Sequence, residues 1–297
     1  MELSCIHTHT SFCDGNGEVE DFCLAAMEKG FRSLGFSAHA PIPKKTGIKT
    51  DWTMKEENLP LYLEAIKTAK RRWEGKLDVY LGLEADFIPD MVTPMDMADL
   101  GLDFIIGSVH FVIPPRGNPF TVDGPAEELE QGLREGFGGD REALVNAYWD
   151  SVAAMIRCGG FEVLGHPDLI KKNNTGRSLF DESAASYLLR CAEIAALASQ
   201  YGITVEINTG GLSRRKTLEP YPSLPLLRAF REKKVPVIVN ADAHCPKDLD
   251  SYYSDAIEAL NAANYTETVI FEGRKNGIPQ WRTVKIEKNQ KPVIGVS

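Results

Sequence analysis

The chain has six histidines, and each closes or directly follows a run rich in Val, Ile, Leu or Phe. His7 and His9 form a His-x-His pair after Leu3-Ser4-Cys5-Ile6. His39 lies in Ser37-Ala38-His39-Ala40-Pro41, and His110 in Gly107-Ser108-Val109-His110-Phe111. His166 lies in Gly165-His166-Pro167-Asp168, and His244 in Asp242-Ala243-His244. A single histidine in such a place reads most simply as a hydrogen-bonded structural residue. Core packing gives no reason for all six to share one position. Neutral imidazole is the commonest metal ligand. Residues i and i+2 of a strand project to one face, so both members of His-x-His can grip one ion.

Carboxylates complete the pattern. Glu84 ends Leu81-Gly82-Leu83-Glu84, with Asp86 as a competing acid two residues on. Asp242 follows Val237-Ile238-Val239-Asn240, and Asp14 lies in the loop after His-x-His. A carboxylate can bridge two cations, which casts Glu84 as a bridge. The six histidines with Glu84, Asp242 and Asp14 exceed what one tetrahedral zinc can use. They suit two or three divalent ions, of the Zn, Fe or Mn type, with open positions for water and substrate. Clustered dications clamp phosphoryl oxygens and lower the pKa of bound water towards ~7. The implied chemistry is hydrolysis of a small phosphate ester by a metal-bound hydroxide. No Gly-x-Ser-x-Gly elbow is present, which argues against a covalent serine nucleophile.

A second constellation, Glu206-Ile207-Asn208-Thr209-Gly210-Gly211-Leu212-Ser213-Arg214-Arg215, offers a tight turn and two guanidinium groups. Arginine presents forked donors that match a phosphate, so Arg214 and Arg215 are candidates for stabilising its charge. Lys171 and Lys172, shortly after His166, add candidate positive charge, and Glu219 is a candidate contact to the substrate.

These residues need elements to hold them. The strand candidates are Leu3–His9, Ser33–Ser37, Val79–Glu84, Phe104–Val109, Glu162–Gly165, Thr204–Ile207 and Val235–Asn240. They lack polar alternation, as strands covered on both faces do. Between them lie helix candidates at Val19–Lys29, Asn58–Trp73, Arg141–Cys158, Asp181–Tyr201, Leu224–Lys233 and Asp248–Ala262. Asp181 is the expected N-cap of the fourth, and Gly202 its stop. Strand–helix alternation predicts parallel strands with right-handed crossovers. The absence of a dinucleotide or Walker glycine motif favours a barrel, where the C-terminal strand ends converge on one mouth. Pro114–Gly139 reads as one long irregular loop, and Trp281–Ser297 as at most a short strand around Val284 and Ile286. No linker composition interrupts the chain, so residues 1–297 are expected to form one domain.

Composition narrows the partners. Apolar residues make up 43% and charged residues 25%, a globular balance. With 33 Lys and Arg against 42 Asp and Glu, the net charge of −9 argues against a broad nucleic-acid-binding face. No apolar run approaches the ~20 residues of a membrane span, and the N-terminus lacks the pattern of a signal peptide. The six cysteines are scattered, without a Cys-x-x-Cys pair. Reduced thiols in a cytoplasmic protein are expected.

The motifs resemble those of the polymerase-and-histidinol-phosphatase (PHP) superfamily. The match runs in order from His7-Thr8-His9-Thr10 with Phe12-Cys13-Asp14-Gly15 to Asp242-Ala243-His244, over nearly the whole chain. Asn208–Leu212, Arg214-Arg215 and Glu219-Pro220-Tyr221-Pro222 point towards the histidinol-phosphatase branch. The resemblance implies an α/β fold, a distorted (β/α)7 barrel with a trinuclear site. It implies one ion on His7, His9, Glu84 and Asp242, and a second on Glu84, His110 and His166. It places a third on Asp14, His39 and His244. Relatives often carry a histidine where this chain has Gly15. The implied reaction is hydrolysis of L-histidinol phosphate in histidine biosynthesis, with a bridging hydroxide attacking phosphorus. The Pro114–Gly139 loop and Glu219 are expected to read the substrate's imidazole and amine. The alternatives are a PHP phosphoesterase acting on nucleotides, nucleic-acid ends or phosphotyrosine, a barrel amidohydrolase, and a non-catalytic relic domain.

Overall fold

A computed structural model describes residues 2–286. Seven parallel strands form a sheet in the order β1 (Leu3–Cys5), β2 (Phe31–Phe36), β3 (Asp78–Asp86), β4 (Phe104–Ser108), β7 (Val163–Leu164), β8 (Thr204–Asn208) and β9 (Val237–Asn240). Two short antiparallel ribbons complete the strands: β5 (Phe111–Val112) with β6 (Phe120–Thr121), and β10 (Glu267–Lys275) with β11 (Ile278–Lys285). Helices α1 (Val19–Glu28), α2 (Leu59–Trp73), α3 (Ala126–Phe137), α4 (Arg141–Cys158), α5 (Ala185–Gln200), α6 (Gly210–Ser213), α7 (Leu224–Glu232) and α8 (Tyr253–Ala262) fill the connections.

The sheet curls until β1 and β9 nearly meet. Thr8 and Ala243 form a parallel bridge, with His9 N donating to Ala243 O (2.9 Å) and Ala243 N to His7 O (3.1 Å). Below it the seam is closed by side chains. Ile6 N donates to Asn240 Oδ1 (3.0 Å), and Ala241 N lies 3.4 Å from Cys5 Sγ. The expected parallel barrel is therefore present, closed mainly at its C-terminal mouth.

Inside the barrel, Ile6, Phe104, Ile106, Val163 and Ile238 pack with Phe271 of β10. Phe271 meets Tyr80 (4.9 Å between ring centroids), Phe104 (5.6 Å) and Trp281 (5.2 Å), so the β10–β11 ribbon covers the end opposite the mouth. Arg274 fastens the ribbon by donating to Asp103 O (3.1 Å) and Glu162 Oε1 (3.0 Å).

Four expectations need correction. The first strand stops at Cys5, because His7 and His9 turn into the site. The Pro114–Gly139 segment is not one irregular loop: it contains β6 and the twelve-residue α3, whose Leu129, Leu133 and Phe137 recur every fourth residue and are buried. Asp181 is not the N-cap of α5. Its carboxylate accepts from Ser183 N (2.9 Å) and Ser183 Oγ (2.7 Å), a local turn that delays the helix to Ala185. Near the C-terminus, β11 runs from Ile278 to Lys285; the remainder of Trp281–Ser297 past Ile286 lies outside the described residues.

Candidate metal centre

The strand ends bring all six imidazoles to one mouth. Glu84, on the last turn of the pleat in β3, is 1% exposed and is the hub. Its Oε2 lies 2.9 Å from His39 Nδ1, 3.3 Å from His7 Nε2 and 3.5 Å from His9 Nε2. Its Oε1 lies 2.9 Å from His166 Nε2 and 3.6 Å from His110 Nε2. One carboxylate thus touches five of the six histidines. Asp242 Oδ1 lies 3.2 Å from His9 Nε2 and 3.7 Å from His7 Nε2. Asp14 Oδ2 lies 3.1 Å from His244 Nε2, and its Oδ1 3.8 Å from both His9 Nδ1 and His39 Nε2.

Four overlapping groups have the spacing of metal ligands: His9, Asp14, His39 and His244; His7, His9 and Asp242; His7, Glu84 and His166; and His39, Glu84 and His110. Each set of ligand atoms lies within 4.8 Å of one another. His7 Nε2, His9 Nε2, His39 Nδ1, His166 Nδ1 and Glu84 Oε2 are buried without a hydrogen-bond partner. Leaving so many polar atoms unpaired in a core is costly, and a set of cations at this point is the arrangement that satisfies them. The donor set of imidazole nitrogens and carboxylate oxygens fits Zn, Fe or Mn. The groups share members, so the site is multinuclear in kind.

Outer residues fix the ligands. Glu206 is fully buried in β8 and takes four donors: His7 Nδ1 (2.8 Å), His166 N (2.9 Å), Asn208 Nδ2 (2.8 Å) and Asn240 Nδ2 (2.9 Å). Asp86 takes His110 Nδ1 (2.9 Å) and His110 N (3.2 Å). Each carboxylate holds one ring nitrogen and turns the other towards the centre. Sequence reasoning named Glu206 at the head of the second constellation but gave it no role. The available signal was an acid inside a buried strand, which demands a partner. Asp86, the competing acid, supports a ligand from behind.

The loop carrying Asp14 is built around Gly15. A Cβ there would lie 2.2 Å from His9 O, so no side chain fits at this position without moving the His-x-His turn. A histidine side chain, which the resemblance would allow at this position, has no room here, and Asp14 reaches the centre.

The electrostatics follow from burial against charge. Burial pushes His7 and His39 down, but facing carboxylates outweigh it and raise both: Glu206, Glu84 and Asp242 for His7, Glu84 and Asp14 for His39. The same contest, won by Asp86 and Glu84, lifts His110 to about 10. His9 goes the other way, to about 3, through burial and the neighbouring His244 and His39. Glu84 is held well below the usual carboxylate range by His39, His7 and His110, against the effect of burial. At pH 8 the metal-free protein therefore keeps a proton on His110, which a metal ligand must lose. Zinc loading is expected to release at least one proton per chain at pH 8, and zinc affinity to fall as pH is lowered. Calorimetry in two buffers of different ionisation enthalpy checks this; identical heats in both would refute it.

Arg214 is the cation at the rim. Its Nη2 donates to Asp242 Oδ2 (2.8 Å) and its Nη1 to Asp242 O (3.0 Å), while the side chain stays about a third exposed (35%). Lys172 also lines the mouth, paired with Asp123 (2.9 Å). The other basic candidates are placed differently. Arg215 has φ 56°, is exposed and does not line the mouth. Lys171 is buried, bonded to Glu219 Oε1 (2.9 Å) and Pro220 O (2.8 Å), and stacked over Tyr221. Glu219 is thereby occupied by Lys171. Arg214→Ala is expected to lower kcat/KM for a phosphate monoester by about a hundredfold, with Arg215→Ala costing less than threefold. Equal losses in steady-state assays would overturn this division.

The cavity over the centre, about 260 Å3, is lined by Asp14, His39, Trp52, Glu84, His110, Asp123, His166, Lys172, Arg214, Asp242 and His244, among others. Ions held by these residues would supply cations able to grip a dianion, and Arg214 adds a guanidinium to the same cavity.

Comparison with known proteins is consistent with this geometry. A family model described as the PHP domain matches residues 6–210. The chain is 32% identical over 273 residues to a Deinococcus radiodurans protein named "Probable histidinol-phosphatase", covering 91% of this chain and 96% of that one. The crystal structure of hisK from Listeria monocytogenes has a TM-score of 0.75 at 24% identity, over 85% of this chain and 99% of the other. The histidinol phosphate phosphatase of Lactococcus lactis, in complex with Zn, L-histidinol and phosphate, has a TM-score of 0.68 at 20% identity. It covers 92% of this chain and 99% of its own. At these identities the two structures bear on the fold.

Proposed function

The chain belongs to the PHP domain family, and we propose that within it this protein is a histidinol-phosphatase, hydrolysing L-histidinol phosphate to L-histidinol and phosphate. The observation that carries the reading is the Glu84 carboxylate in contact with five imidazoles at a barrel mouth. The named relative, similar along nearly its whole length, supports the substrate.

The proposed ligands are His7, His9, Asp14, His39, Glu84, His110, His166, Asp242 and His244. Ions held there supply Lewis acidity towards phosphoryl oxygens and a bound water of lowered pKa. Glu84 would hold ions through both oxygens, Oε2 beside His7, His9 and His39 and Oε1 beside His110 and His166. Glu206 and Asp86 hold His7 and His110 in the tautomer that presents Nε2 to the centre. Arg214, tied to Asp242, places its remaining donors at the rim, where they balance charge on the phosphate. Lys172, paired with Asp123, adds charge to the lining of the same cavity. The reading extends to one catalytic domain over residues 1–297, in which β9 supplies Asp242 and His244. It also extends to a cytoplasmic enzyme of histidine biosynthesis, supported by six unpaired thiols.

The test is phosphate release from L-histidinol phosphate beside nucleotides, sugar phosphates and phosphotyrosine, with Mn2+, with Zn2+ and after chelation. Selective turnover of L-histidinol phosphate, abolished by chelator, is the expected result. Turnover of a different panel member alone would retain the centre and discard the substrate.

A further inference from the structure

The mouth opens sideways into a larger cleft that the phosphate chemistry does not use. Its volume is about 830 Å3, and it joins the metal cavity through three shared residues, Trp52, Thr121 and Gly124. Trp52 is the partition. It lies edge-on to His39 (4.6 Å) and 5.1 Å from His110, and it stacks on Phe111 (5.8 Å) on the other side. Phe120 adds a second aromatic wall.

The charge of the cleft has the opposite sign to what a phosphate wants. Asp51 and Glu128 line it, against Lys49 as its one lining cation. Glu128 is held firmly. Its Oε1 accepts from Thr121 N (3.1 Å) and Thr121 Oγ1 (3.0 Å), while among the described residues Oε2 makes no hydrogen bond. Gly124 keeps space beside it: a Cβ there would sit 2.4 Å from Thr121 Oγ1 and 3.0 Å from Glu128 Oε2. A carboxylate anchored by one oxygen and open at the other, in a cleft that Trp52, Phe111 and Phe120 also line, suits a flat cationic group.

We propose that this cleft receives the alcohol half of the substrate as a cation, with Glu128 as the specificity-determining carboxylate and Trp52 as the shelf on which the ring lies. The inference takes from the reading above that a phosphate monoester occupies the metal cavity, and it concerns the part of that ester beyond the phosphate. Thr121, whose N and Oγ1 hold Glu128, also lines the metal cavity, which sets this carboxylate next to the passage between the two. The cleft, lined in part by the 114–139 segment, thus has the role that the sequence reading gave to Pro114–Gly139 and Glu219, the latter being occupied by Lys171.

The experiment compares kcat/KM for L-histidinol phosphate with that for p-nitrophenyl phosphate, a neutral aryl ester, in the wild type and in Glu128→Gln. Glutamine keeps the oxygen that Thr121 binds and removes the charge. The ratio of the two values is expected to fall tenfold to a hundredfold, the range of about one charged hydrogen bond. The loss should lie in KM for the cationic ester, and L-histidinol should bind the metal-loaded protein more weakly by a similar factor. An unchanged ratio, or an equal fall for both esters, overturns the proposal. Should Glu128→Gln not fold, Asp51→Asn at an exposed position replaces it. A selective fall of about threefold is then expected, and no change overturns the proposal. Failure of the substrate reading shows separately, as wild-type turnover of the aryl ester without turnover of L-histidinol phosphate. In that case phosphoethanolamine against glycerol phosphate poses the same question of the cleft. Absence of a wild-type preference for the cationic ester overturns the proposal.

Discussion

Glu84→Gln is expected to lower phosphate release by at least about a thousandfold and to strip at least one metal ion per chain. The reasoning is geometric. Residues that merely orient metal ligands are worth about 10–100-fold, and Glu84 is not of that kind. Both of its oxygens face the cluster, and they contact imidazoles arriving from β1, β2, β4 and β7. A neutral amide offers one acceptor where two are needed, and it turns an N–H2 group towards the ions. Removing the charge also takes a counter-charge from buried His7, His39 and His110, each of which Glu84 raises. Metal analysis and kinetics on the same preparation decide the matter. Glu206→Gln is the internal comparison, since Glu206 touches His7 from behind, and its loss should stay near the 10–100-fold range. Full metal content in Glu84→Gln with a rate within tenfold of wild type would remove Glu84 from its bridging role.

Chelation is expected to abolish turnover and also to lower Tm by about 8–16 °C per ion lost. An ion present at a thousand times its Kd stabilises the folded state by about 4 kcal/mol, and each kcal/mol shifts Tm by about 2–4 °C in a domain approaching this size. The location of the ligands adds a local effect. His7 and His9 follow the first strand of the barrel, Asp242 and His244 follow the last, and the two segments are joined directly by few bonds. Ions gripped across that seam cross-link residues more than two hundred positions apart, where closing the loop costs much chain entropy. Amide exchange at His9 and Ala243 should therefore accelerate most on metal removal. Uniform acceleration across the barrel, with Tm unchanged, would contradict both statements.

The site was legible in the sequence wherever a strand end announced it. His39, His110, His166 and Glu84 stand next to unbroken apolar runs, and the topology of a parallel barrel then carries them to one mouth. What escaped was the residues whose role depends on partners distant in sequence. Glu206 sits inside an apolar strand, and only the fold reveals the four donors that converge on it. Arg214 and Arg215 are neighbours with the same chemistry. The left-handed backbone at Arg215 separates them, and sequence does not display it. Lys171 looked free beside Lys172, yet Glu219 and Pro220 claim it. Helix α3 was hidden by the proline and glycine residues on either side, although Leu129, Leu133 and Phe137 carried its period. Because that helix was missed, so was the cleft that Glu128 lines.

The β10–β11 ribbon, with Phe271 set into the base of the barrel, has a kinetic consequence. Among the described residues that end is covered, so substrate and both products pass by way of the mouth and the cleft beside it. On the proposed placement the phosphate sits over the ligands of the metal centre and the alcohol in the cleft beside it, so the alcohol departs first and the phosphate last. The sequence of release is then ordered, and phosphate alone returns the enzyme form that also meets fresh substrate. Inorganic phosphate should compete with substrate, whereas the released alcohol should show noncompetitive inhibition. A plug far from any reacting atom would thus decide which product governs the enzyme as its reaction approaches completion.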